Sequence, residues 1–134
     1  MSLQFSDAVR NARLDAIEST IGTSPILKIY TGSVPANCAA AATGTLLDTM
    51  NLPSDWMASA AGDSKSMAGT WSSTASAAGT AGYFRIYDST GTTCHIQGTI
   101  TASGGGGDMI ATSTTVGSGD TETVTSFTLN EANG

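Results

Sequence analysis

The sequence predicts a mainly β protein: an antiparallel β-sandwich or small barrel of about seven strands with one N-terminal α-helix. Two observations carry this. Apolar residues recur at steps of three and four over residues 6–21 and at steps near two after Pro25. Short apolar runs are then separated by Gly-, Ser- and Asp-containing turns.

The helix has signals at both ends. Ser6 serves as N-cap and Asp7 complements the positive end of the helix dipole. Phe5, Val9, Ala12 and Ala16 form one row and Leu14, Ile17 and Ile21 a second, together a broad apolar face. Gly22 ends the helix and Pro25 prevents a restart. Strands are expected at 26–31, 44–52, 66–74 around Trp71, 82–88, 93–101, 109–116 and 121–130. Ser54-Asp55-Trp56-Met57 reads as a short helical turn after Pro53, and Gly32 to Ala42 as a loop. Asp88-Ser89-Thr90-Gly91 is a tight hairpin turn, and Gly104 to Gly107 a flexible hairpin tip. No linker divides the chain, so 1–134 reads as a single domain, with 1–22 the helix and 23–134 the sandwich. Ala58-Ser59-Ala60-Ala61-Gly62 recurs as Ala75-Ser76-Ala77-Ala78-Gly79, but the flanking residues differ, so this is compositional bias.

Charged residues make up 12% of the chain, about half the usual share. Ser, Thr, Ala and Gly together exceed half of it. A surface of hydroxyls and methyl groups suits packing against other subunits better than life as a solvated monomer. The net charge is −6, and Arg10, Arg13, Lys28, Lys65 and Arg85 are scattered. This disfavours nucleic-acid binding. No apolar run reaches the length of a membrane span and the N-terminus lacks a signal-peptide pattern, so no membrane partner is expected. Cys38 and Cys94 form no disulfide framework, and both are expected as reduced thiols in a cytoplasm.

No motif points to an enzyme, a cofactor or a metal. His95 is the only histidine, and no Gly-x-Ser-x-Gly elbow accompanies it. Cys94 and His95 are neighbours in a strand and point to opposite faces, so they do not share an ion. Asp120 and Glu122 beside Gly119 lack the calcium-loop signature. Gly62-Asp63-Ser64-Lys65-Ser66 lacks the glycine before the lysine of a phosphate loop, and Gly104 to Gly107 opens no strand–loop–helix unit.

One constellation stands out. Phe84 and Ile86 share one face of their strand, and Cys94, Ile96 and Ile100 are expected to join them in the core. Tyr83, Arg85 and Tyr87 then face outward with His95, Gln97 and Thr99. Tyr and Arg are enriched where proteins meet partners, so Tyr83, Arg85, Tyr87, His95 and Gln97 form the candidate interface. Phe5 and Val9 on the helix are added to it: the apolar face of the helix either covers its own sheet or reaches into a neighbouring subunit as an anchor. A plain solvated face is the second reading of the same residues, and a sugar platform the third.

Three stretches resemble small proteins encoded among the structural genes of tailed phages. They are Gly44-Thr45-Leu46-Leu47 leading into Leu52-Pro53-Ser54-Asp55-Trp56-Met57, then Ala81 to Gly98, and Val124-Thr125-Ser126-Phe127-Thr128-Leu129 followed by Asn130-Glu131-Ala132-Asn133. They span roughly half the chain and carry strands and turns, so the resemblance implies a setting and no chemistry. It implies a non-enzymatic virion protein that decorates or reinforces the capsid, neck or collar. Its partners would be other virion proteins and further copies of itself, and it would be assembled in the host cytoplasm. The alternative function is a tail- or fibre-associated module recognising a host glycan or surface protein.

Overall fold

The computed structural model describes residues 3–131; the end of the third resembling stretch, Ala132 and Asn133, lies outside them. Helix α1 spans Asp7–Ile21. Ser6 caps it by accepting from the Val9 N–H at 3.3 Å, and the Gly22 N–H closes it on the Glu18 carbonyl. Nine strands follow among the described residues: β1 Ile26–Thr31, β2 Leu46–Asn51, β3 Ser64–Ser66, β4 Trp71–Thr74, β5 Gly79–Tyr87, β6 Cys94–Ala102, β7 Met109–Ala111, β8 Thr115–Val116 and β9 Thr121–Asn130. They form one curled, half-barrel sheet in the order β2-β1-β5-β6-β7-β9-β3, with β4 also on β9 and β8 on β5.

The protein is thus mainly β with one N-terminal helix, as the pattern predicts, with three differences in detail. The expected strand 66–74 is two strands, β3 and β4, and 109–116 divides into β7 and β8. No helical turn forms at Ser54–Met57. Instead Trp56 turns into the core, with its indole N–H donating to the Gly22 carbonyl at 3.0 Å, and Met57 bridges Met67. The third difference is the direction of β7, which runs parallel to β6. Gly104 to Gly107 is therefore a return loop, not a hairpin tip. It lies against Thr101 so tightly that a Cβ on Gly105 would stand 2.5 Å from the Thr101 Cβ, and one on Gly107 2.9 Å from its Cγ2. Only glycine permits that crossing.

One core fills the concave side of the sheet. Leu27, Ile29, Phe84, Ile86, Met109 and Phe127 point into it, joined by Trp56 and Trp71. Phe84 meets Phe127 edge-on with ring centres 5.5 Å apart, and Trp71 lies 5.7 Å from Phe127. Such aromatic pairs add to the burial energy of their area. Helix α1 joins this core through Ile21 and the half-buried Ile17.

Ion pairs from two buried cations tie the helix to β3 and to the residue before it. Lys65, 1% exposed, reaches Asp15 at 2.6 Å and Glu18 at 2.8 Å and donates to the Ala58 carbonyl at 2.9 Å. Arg10 is also buried and pairs with Asp7 and Asp63. This narrows the apolar face expected of the helix: Leu14 and Ile21 are buried, Val9 is 45% exposed, and Ala12 and Ala16 face solvent.

Candidate functional site

The convex face of β1, β5 and β6 carries Tyr30, Tyr83, Arg85 and Tyr87. Strand alternation puts them opposite Phe84 and Ile86, as expected. Their exposure corrects the expectation. Tyr83 is fully buried, Arg85 is 2% exposed and Tyr87 7%. The residues 32–45 that join β1 to β2 fold down over this face and cover it.

Each polar group there meets the loop or a neighbour. The Tyr83 hydroxyl donates to the Thr43 carbonyl at 2.6 Å and accepts from the Thr43 N–H at 2.9 Å. Its ring stacks on Tyr30 at 5.0 Å and 8°. The hydroxyls of Tyr30 and Tyr87 lie 3.3 Å apart, and burial pushes the Tyr30 phenol well above its ordinary range. Lys28 stands over the Tyr87 ring at 4.9 Å. Arg85 donates from Nη2 to the Asn37 carbonyl at 3.2 Å, and Gln97 Nε2 to the Pro35 carbonyl at 2.8 Å. Arg85 Nε and Gln97 Oε1 are buried without a partner among the described residues.

Two further expectations change because the β5–β6 ladder shifts register between Ile86 and Tyr87. The bulge sets Cys94, not His95, opposite Tyr87. Cys94 therefore leaves the expected core position and joins the convex face, where its thiol meets that of Cys38 from the loop. His95 instead lines a groove of about 280 Å3 with Arg13, Ile17 and Thr20 of the helix. Of the two helix residues in the predicted interface, Val9 is exposed and Phe5 is half-buried with the Arg13 guanidinium 5.3 Å over its ring. The seven predicted interface residues thus occupy separate surroundings: Tyr83, Arg85, Tyr87 and Gln97 under the loop, His95 in the groove, and Phe5 and Val9 at the helix N-terminus.

Two features escaped the sequence reading. Asp48 on β2 and Glu122 on β9 are both buried, at 1% and 3% exposure. Ser73 donates to Asp48 Oδ1 at 2.7 Å, while Asp48 Oδ2 and Glu122 Oε1 have no partner among the described residues. Burial raises both carboxyl pKa values above the ordinary range. Polar residues at single strand positions gave no sign that these two carboxyls are buried.

The second is a notch of about 530 Å3 between β6 and β9. Short β7 pairs with β6 only at Ile100–Ala102 and with β9 only through Phe127, Ser126 and Val124. Beyond β7, among the described residues, 94–99 of β6 pair as a strand only with β5, and 128–130 of β9 only with β3. Two sheet edges therefore face one another across open space, along the line that β7 would follow if it were longer. Phe84, Ile96, Phe127 and Leu129 floor the notch, while Gln97, Thr128 and Asn130 edge it. Asp108 closes one end, accepting from the Thr99 N–H at 2.9 Å and its hydroxyl at 3.0 Å. No family model matches this chain, and neither a curated protein nor a solved structure matches it at a significant level.

Proposed function

We propose that the chain is a non-enzymatic structural subunit of a tailed-phage virion, decorating or reinforcing the capsid, neck or collar through protein–protein contacts. The observation that carries the contact part is the notch. Unpaired strand edges are templates for another strand, and here two of them flank an apolar floor. An extended segment of a neighbouring subunit fits this chemistry: its backbone bonds to β6 and β9 while small or apolar side chains meet Phe84 and Phe127. The weakly charged, hydroxyl-rich composition supports the same reading. The phage setting rests on the three resembling stretches, which fall on the lead into β2, on the Trp56 turn, on the β5–β6 hairpin and on β9. The glycan alternative loses its platform, because the rings of Tyr83 and Tyr87 lie beneath the loop.

The test is made on purified particles of a phage that carries the gene. The chain should be present in fixed ratio to the major shell protein, and antibody labelling should place it at one location. Thr128→Lys puts an ammonium at the edge of the notch and should fold normally but be left out of particles. Particles without the chain would refute the virion reading. Normal incorporation of Thr128→Lys would remove the notch from it.

A further inference from the structure

We propose that Cys38 and Cys94 form a dithiol site that exchanges with small-molecule disulfides and closes to a protein disulfide, locking residues 32–45 onto the convex face of the sheet.

The two thiols are far apart in sequence and come together for separate reasons. The bulge between Ile86 and Tyr87 turns Cys94 onto the convex face opposite Tyr87. Cys38 follows Asn37, whose carbonyl is held by Arg85, two residues from Tyr87 on the same strand face. Gln97 holds Pro35 on the same side of the loop. The thiols meet where these contacts converge, and both are only half-buried, so a small disulfide has access.

Arg85 gives the site its chemistry. Its guanidinium is almost fully buried, stands beside Cys94, and pairs with no carboxylate among the described residues. A buried cation without a counter-ion favours an anion forming beside it. Burial, with the neighbouring Cys38, pushes the Cys94 thiol up to about 12. The Cys94 thiol also donates to the Ile96 carbonyl at 3.5 Å, which leaves the loop thiol, Cys38, as the sulfur that opens the exchange.

With oxidised glutathione as the oxidant, the Cys38 thiolate attacks one sulfur of its disulfide. A Cys38–glutathione bond forms, and one glutathione thiolate leaves and takes up a proton. Cys94 then loses its proton, beside Arg85, and attacks the Cys38 sulfur. The Cys38–Cys94 bond forms and the second glutathione leaves as thiol. Two protein thiols are oxidised and one glutathione disulfide is reduced to two thiols. The sequence-based expectation of reduced thiols holds for a reducing compartment; the site responds when the compartment changes. This inference does not depend on the virion reading.

The test uses the full chain. It is incubated with oxidised glutathione, alkylated with iodoacetamide without reduction, and weighed as intact protein. The expected product is lighter than the reduced chain by two hydrogens and carries no alkyl group and no glutathione. Its unfolding midpoint should rise by about 10 °C over the reduced form, because the bond closes a loop between residues 38 and 94 and lowers the entropy of the unfolded chain. Hydrogen exchange in residues 32–45 should slow in the oxidised form alone. Cys94→Ser should retain one glutathione, on Cys38. Two alkylations, stable glutathione on either cysteine of the wild type, or a disulfide-linked dimer would overturn the proposal. Unchanged exchange in the loop would overturn the lock.

Discussion

Replacing Lys65 by Met tests what holds the helix to the sheet. Methionine keeps most of the apolar stem and removes the ammonium, with its contacts to Asp15, Glu18 and the Ala58 carbonyl. Hydrogen bonds to charged groups contribute about 1.5–3 kcal/mol each. Two effects reduce the total. The desolvation cost of the buried ammonium disappears with it. The Asp15 and Glu18 side chains are 47% and 24% exposed, so water takes over part of the lost contact. The net loss should be about 2 kcal/mol, equivalent to a fall of about 6–10 °C in midpoint for a chain of this size. The assay is urea denaturation at neutral pH, with hydrogen exchange across residues 7–21. The midpoint should fall at constant m-value, and the helix amides should exchange first. The pH dependence has a definite sign. The Lys65 hydrogen bond lowers the Asp15 pKa, so that contribution is present above the ordinary value of 3.8 and fades as pH falls through the folded value. Desolvation disfavours the Lys65 ammonium, but the hydrogen bonds it donates to Asp15 and Glu18 outweigh this and raise its pKa above 10.5, so its share is complete below 10.5 and is lost as pH rises through the folded value. Wild type and variant should therefore differ most between these limits and converge in acid. A variant as stable as wild type, or more stable, would refute the reasoning and show that burying the ammonium costs as much as its contacts return.

The buried Asp48 and Glu122 carboxyls give the opposite sign. Folding favours their neutral forms, so their contribution to stability should be complete below the ordinary values of 3.8 and 4.5 and be lost as pH rises through the folded values. Asp48→Asn, which still accepts from Ser73, should be about 1 kcal/mol more stable than wild type at neutral pH and equal to it in acid, as read by thermal melts across pH. Tyr83→Phe removes both hydrogen bonds to Thr43 and should cost about 1 kcal/mol, with faster amide exchange confined to residues 32–45. Gly82→Ala would place a Cβ 2.0 Å from the Gly32 carbonyl oxygen and should cost more than about 2 kcal/mol in urea denaturation; a neutral outcome would mean that the loop lifts freely from the sheet.

Local chemistry was legible in the sequence. Ser6, Gly22 and Pro25 bound the helix, and alternation at Phe84 and Ile86 assigned the core face of β5 correctly. What depends on distant partners was not. Alternation says which residues share a face but not what covers it, so Tyr83, Arg85 and Tyr87 read as exposed although the loop buries them. A bulge has no period, so the turn of Cys94 onto the convex face and its meeting with Cys38 left no trace in the pattern. The one available signal was the length of the β1–β2 connection, since antiparallel neighbours are usually joined by only a few residues. The glycine run marked a break in β-structure but not whether the chain turns back antiparallel or crosses over to run parallel.

Strand β9 pairs with β3, β4 and β7, and β3 and β4 have no other strand partner. During synthesis β1, β2, β5 and β6 can zip together once residues up to 102 have emerged, because their pairings close among themselves. Strand β7 can then add to β6, but β3 and β4, with Trp71, have no strand to pair with until residues 121–130 leave the ribosome. At about 5–20 residues per second, that leaves them unpaired for a second or more. Folding of this chain is thus vectorial in its first half and waits on a single late strand in its second. Premature termination before β9 would release a protein with half its sheet formed and the rest open to aggregation or proteolysis.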